Sequence, residues 1–103
     1  MLIVHSHNGV PIRLTEERWQ HIVLRHPEMQ ELQEKVAETL VGPHIIQQGD
    51  AGELIALRFY SEAPVINKFV VVIYKETSQE DGFILTAYLS NFPNNRRTTI
   101  WKQ

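Results

Sequence analysis

Three or four apolar-rich stretches, roughly 44–48, 54–61, 67–75 and 82–90, are too short for helices and bounded by turn residues, and so predict β-strands. Successive side chains of a strand point to opposite faces, so each stretch divides its residues between two sides of a sheet. Turn-rich segments separate them: Gly49 to Gly52, Ser61 to Asn67, and Thr77 to Gly82. Connections this short make antiparallel neighbours. A last short strand, Thr98 to Trp101, is predicted after the polar loop Asn91 to Arg97.

Upstream the pattern changes. Trp19, Ile22, Val23 and His26 share one stripe at helical spacing, and Arg18, His21 and Arg25 share the neighbouring one. Thr15 suits the N-cap of this helix, with Glu16 and Glu17 in its first turn, and Pro27 predicts a stop near His26. A second helix is expected from about Pro27 to Leu40. It would bury Met29, Leu32, Val36 and Leu40 and expose Glu28, Glu31, Glu34 and Glu38. Gly42-Pro43 ends it. At the start of the chain, Asn8-Gly9 between apolar runs at 2–5 and 10–14 predicts a small hairpin or a strand entering a helix. Helices followed by a meander of strands specify an α+β layer fold.

Strict alternation along the strands sorts their residues into two faces. Arg58, Tyr60, Lys68, Tyr74, Thr86, Tyr88 and Ser90 are expected together on one, a face of cations, phenols and hydroxyls that could bind an anion. The other carries Ile55, Leu57, Phe59, Phe69, Val71, Ile73, Phe83, Leu85, Ala87 and Leu89, and reads as core. Tyrosine and threonine are also common in strands simply because they pack well there.

Composition narrows the function. A chain of 103 residues with 43% hydrophobic content is sized for one globular domain, residues 1–103. With no cysteine it has neither disulfides nor thiolate metal sites. No apolar run approaches the ~20 residues of a membrane span, and no signal peptide is evident, so a soluble cytoplasmic protein without membrane partners is expected. The net charge of −2 argues against nonspecific coating of nucleic acid. The acidic residues concentrate in the second helix, however, which leaves room for a local basic patch.

Imidazoles are the first candidates for chemistry, since their pKa of about 6.5 suits acid or base work. His26 lies within the apolar stripe, where it is either aimed at the sheet or a buried histidine bonded to a backbone carbonyl. His21 flanks Arg18 and Arg25. Five residues apart, His21 and His26 do not match the i, i+4 spacing of paired helical metal ligands. His5-Ser6-His7 is a weak metal signal without a third ligand, and His44 adds little. Arg96 and Arg97 could clamp a phosphate, with Thr98 or Thr99 supplying a hydroxyl. Aromatics among cations also suit single-stranded RNA.

The segments Ile12 to Met29, the Gly42-Pro43-His44-Ile45-Ile46 junction, Lys68 to Glu76 and Phe83 to Ser90 together resemble phage and bacterial nuclease domains of the barnase–EndoU–colicin–RelE superfamily. The resemblance covers about Val10 to Trp101. Its most specific parts are His21-Ile22, Arg25-His26-Pro27-Glu28 and Thr86-Ala87-Tyr88. It implies two N-terminal helices packed on one face of a four- to five-stranded antiparallel sheet, and metal-independent endoribonuclease activity with no cofactor.

In that chemistry the ribose 2′-hydroxyl attacks the adjacent phosphate, leaving a cyclic phosphate and a free 5′-hydroxyl. Carried onto this chain, His21 or His26 would be the acid or base. Arg58 and Lys68 would stabilise the phosphorane, and Thr86 and Tyr88 would hold phosphate or stack a base. Arg25, Tyr60, Arg96, Arg97 and Thr98 are the expected substrate-binding residues. RNA is the implied partner, and a toxin role with an antitoxin or immunity protein stays open. Ribonuclease toxins tend to be basic, so the −2 charge also leaves open a non-catalytic RNA- or protein-binding module, or a homodimer formed through the tyrosine-bearing strands.

Overall fold

A computed structural model describes residues 1–103. Its elements are β1 (Leu2–His5), β2 (Pro11–Leu14), α1 (Glu16–Arg25), a 3-10 turn (Pro27–Met29), α2 (Gln33–Val41), β3 (Ile45–Gln48), β4 (Leu54–Tyr60), β5 (Lys68–Glu76), β6 (Gly82–Ser90) and β7 (Thr99–Lys102). The α+β class holds. The expected sheet of four or five antiparallel strands does not: seven strands form one mixed sheet in the order β1-β2-β6-β5-β4-β3-β7. The helices also do not open the chain, because they sit between a hairpin and the remaining strands.

The difference comes from the hairpin. β1 and β2 pair antiparallel around the Asn8-Gly9 turn, where Gly9 has φ of 83°. β2 then joins the sheet in parallel with β6, through Ile12 opposite Gly82 and Arg13 opposite Phe83. This junction needs a glycine. A Cβ at Gly82 would stand 2.5 Å from the Lys75 carbonyl oxygen and 2.6 Å from Ile12 Cδ1. Outside it, Arg13 and Asp81 form a two-point ion pair at 2.8 and 3.0 Å.

The second helix is shorter than its apolar spacing suggests. Pro27–Met29 forms a separate 3-10 turn, and Glu31 takes φ of 69°, a left-handed conformation that no α-helix continues through. The stripe is still buried: Met29, Leu32, Val36 and Leu40 are at most 5% exposed. Together with Ile22 they meet Ile12, Leu14, Ala56, Val70, Val72, Tyr74, Ile84 and Ala87 in the main core. α2 packs across β4, β5 and β1, whereas α1 lies along β6.

The two sheet faces are not divided as strict alternation predicts. The helix-covered face takes Ala56 on β4, Val70, Val72 and Tyr74 on β5, then Ile84 and Ala87 on β6. The open face takes Ile55, Leu57 and Val71, a second apolar cluster against which Phe69, Ile73 and Tyr88 pack. A bulge causes the split. Tyr74 pairs with Ile84 but Ile73 pairs with Thr86, so Leu85 is supernumerary and β6 changes parity there. Tyr74 therefore lies on the opposite face from Thr86 and Tyr88.

The sheet curls until its two edges approach. His7, in the β1–β2 turn, packs at a tilt against Trp101 of β7 with ring centroids 4.2 Å apart. No helix is long and apolar enough to cross a membrane.

Candidate functional site

β6 is paired with β2 only near its start, so its later half, from Ile84 onward, has α1 beside it in place of a strand. Thr15 caps α1 by accepting a hydrogen bond from the Arg18 amide at 3.1 Å, which sets where the helix begins. Arg18, His21 and Arg25 are consequently carried on one exposed stripe. Arg18 Nη1 donates to the Leu85 carbonyl oxygen at 3.4 Å, at the bulge. Bulges re-aim side chains and interrupt ladders, and this one puts Thr86 on the open sheet face, where it borders the cleft beside α1.

His26 is held from both sides. Its amide donates to the Ile22 carbonyl oxygen at 2.7 Å, and its own carbonyl accepts from the Met29 amide at 2.9 Å. Pro27 disfavours helical geometry at this position, and His26 adopts φ −132°, ψ 76°. The ring leaves the helix and packs at a tilt against Tyr88, with centroids 5.5 Å apart and planes 34° apart. Its side chain is 32% exposed and its Nδ1 lies 3.8 Å from Glu28 Oε2. It is thus neither sealed in the core nor bonded to a backbone carbonyl.

These elements form an open surface cavity of about 310 Å³ lined by Arg18, His21, Arg25, His26, Leu85 and Thr86. Two guanidinium groups, two imidazoles and a hydroxyl line it, and the Glu28 carboxylate stands at its margin, 3.8 Å from His26 Nδ1. Tyr88 continues from it onto the open sheet face. There a slot of about 270 Å³ has Ile55, Leu57 and Val71 as its floor and Gln47, Tyr88, Ser90, Phe92, Asn94 and Arg97 around it.

Several expected site residues lie elsewhere. Arg58 is on the helix-covered side, where its Nη1 donates to the carbonyl oxygen of Gly42, the C-cap of α2. Its guanidinium lies over the Tyr60 ring at 5.6 Å, and its Nε is buried without a partner. Tyr60 donates its hydroxyl to Glu38 at 2.9 Å. Burial, and then this carboxylate, push the Tyr60 phenol up to about 12, and the same hydrogen bond holds Glu38 below the usual carboxylate range. Arg58, Tyr60 and Glu38 therefore tie α2 to β4. Lys68 donates to Asn91 Oδ1 at 2.7 Å at the end of the sheet. Tyr74 is fully buried, and its phenol is pushed up by burial. An interface through Tyr60, Tyr74 and Tyr88 would need all three on one surface, and they are not.

Of the loop residues, Arg97 reaches the slot, whereas Arg96 and Thr98 are exposed away from it. His44 is structural: its Nδ1 accepts from the Phe59 amide at 3.1 Å, and burial, then Arg58, hold its imidazole below the ordinary range. No three His, Asp or Glu side chains gather where they could hold one metal ion.

Gln47 and Phe92 are slot residues that periodicity did not single out. Phe92 is the one large aromatic in the polar stretch Ser90 to Thr99, a signal visible in the sequence, and it is 78% exposed. Gln47 looks like an ordinary strand residue, and only the paths of β3 and the 91–98 loop reveal its burial. Comparison with protein-family models, curated proteins and solved structures finds no match.

Proposed function

We propose that the chain is a metal-independent endoribonuclease whose reacting centre is the cavity between α1 and β6. One observation carries this: Arg18, His21, Arg25, His26 and Thr86 line one cavity, with the Tyr88 ring packed against His26. The chemistry needs a base for the ribose 2′-hydroxyl, an acid for the departing 5′-oxygen and cations for the phosphorane. His26 and His21 are the acid–base pair, Arg18 and Arg25 the phosphate-binding cations, and Thr86 a hydrogen-bond donor to a phosphate oxygen. Each of the three segments with the most specific resemblance to the nuclease superfamily contributes to this cavity, through His21, through Arg25 and His26, and through Thr86.

The cavity is local, which is how a chain of net charge −2 can still attract a phosphate. Arg58, Lys68 and Tyr60 have no part in this assignment.

The test is incubation of mixed single-stranded RNA with the protein in EDTA, beside His26→Ala and Thr86→Val. Cleavage leaving cyclic-phosphate ends is expected, with the His26 variant slowed roughly 10²- to 10⁴-fold, the usual contribution of a general acid or base. Arg25→Ala should shallow the salt dependence of RNA binding by about 0.7 in logarithmic slope, the value for one phosphate contact on a single strand. RNA left intact at every protein concentration would remove the catalytic assignment and leave a binding module.

A further inference from the structure

The slot on the open sheet face has a different character from the cavity beside it. Its floor is aliphatic, formed by Ile55, Leu57 and Val71, and two aromatic rings flank it, Tyr88 and Phe92. Phe92 is 78% exposed, an unfavourable position for a large apolar ring unless something covers it. Gln47 is only 3% exposed, and its Nε2 donates to the Asn94 carbonyl oxygen at 2.9 Å. A carbonyl acceptor fixes the orientation of that amide, so its own oxygen and second N–H remain for another partner. Arg97 supplies a cation at the rim.

At about 270 Å³ the slot lies just below the roughly 300–1,000 Å³ of pockets for drug-sized ligands, which suits one flat ring system rather than a folded peptide segment. Tyr88 is shared: it lines the slot and packs against His26 of the phosphate-binding cavity. A group seated in the slot is thus adjacent to a group seated among Arg18, His21 and Arg25.

We infer that the slot between Tyr88 and Phe92 binds one unpaired nucleobase of a single-stranded RNA, stacked on Phe92 and hydrogen-bonded at its edge by Gln47. The occupant rests on the ribonuclease assignment of the adjoining cavity. Single-stranded RNA is recognised by splaying bases onto aromatic side chains and bonding their exposed edges, and both elements are present here. A base within a duplex cannot enter, because its faces are already stacked and its edge paired. The protein therefore selects unpaired RNA, with the base in the slot setting which phosphate lies among the arginines.

The experiment uses a fluorescently labelled 2′-O-methyl RNA pentamer, which lacks the nucleophile and cannot be cleaved, with binding followed by anisotropy. Phe92→Ala should weaken binding about 5- to 160-fold, the range corresponding to about 1–3 kcal/mol for a stacked base. Phe92→Trp should restore it, and neither variant should change the salt slope, because stacking involves no phosphate. Gln47→Ala should alter the preference among pentamers differing in one base. Because Phe92 is exposed, its variants should melt with the parent.

Equal affinity of the parent and Phe92→Ala, or competition by duplex as strong as by single strand, would overturn the slot. Weaker binding by Phe92→Ala with no RNA cleaved by the parent would keep the slot and remove catalysis. Cleavage by the parent with Phe92→Ala unaffected in binding would do the reverse.

Discussion

Arg58→Ala separates two roles that a cation near the proposed RNA-binding surface could play. The side chain donates to the Gly42 carbonyl oxygen at the C-terminal end of α2 and lies 5.6 Å from the centre of the Tyr60 ring. A hydrogen bond from a charged group contributes about 1.5–3 kcal/mol. The cation–π contact adds at least about 0.5 kcal/mol. Release of the buried, unpartnered Nε returns about 1 kcal/mol, so the net loss is about 1–2.5 kcal/mol. An unfolding entropy of about 2.1 cal/mol/K per residue, over 103 residues, comes to about 0.22 kcal/mol/K. The variant should therefore melt about 5–11 °C below the parent.

The assay is thermal unfolding by circular dichroism, paired with RNA cleavage well below both melting points. Stability should fall while cleavage is unchanged. Tyr60→Phe should also destabilise, and the double variant should lose less than the sum, since both residues tie α2 to β4. A melt unchanged within about 2 °C together with a hundredfold loss of cleavage would refute the placement of Arg58 on the helix-covered face.

Two further predictions concern the framework. Gly82→Ala places a methyl group against the Lys75 carbonyl and Ile12 Cδ1, and should cost about 1–3 kcal/mol in chemical denaturation, as overpacking does. His44 should make stability depend on pH. Its folded pKa lies below its unfolded value of about 6.5, so its contribution is complete above that pH and is lost as pH falls through the folded pKa. His44→Gln should flatten that slope in melts taken across the acidic range.

Much of the local structure is legible in the sequence. Thr15 and Pro27 announce the start and end of α1, and the stripe of Met29, Leu32, Val36 and Leu40 announces the buried side of the 3-10 turn and α2. The strands start and stop within a residue or two of their apolar runs. Pairing across the chain is less accessible. Nothing near Ile12 states that it will lie beside Gly82, because that contact links segments 70 positions apart.

The sheet faces are ambiguous for a different reason. Val70, Val71 and Val72 are apolar in succession, so β5 is buried on both sides and its pattern names neither face as core. The bulge at Leu85 then reverses parity midway along β6. Arg58 and Tyr60 consequently fall beneath α2, while Thr86 and Tyr88 face outward. His21, His26, Arg25, Thr86 and Tyr88 remain together because the helix stripe and the outer half of β6 carry them independently of that error.

The contact between His7 and Trp101 has a consequence for the order of assembly. The two residues are separated by 94 positions, yet they hold the opposite margins of one sheet together. Synthesis runs from His7 toward Trp101, so the floor of the slot, on β4 and β5, emerges before Phe92, Asn94 and Arg97, and β7 emerges after them. A nascent chain can collapse its central strands early, but closure awaits the most distant partners, as high contact order requires. The completed slot is therefore a late product of folding, and a chain stalled before residue 92 has the floor and Tyr88 but lacks Phe92, Asn94 and Arg97.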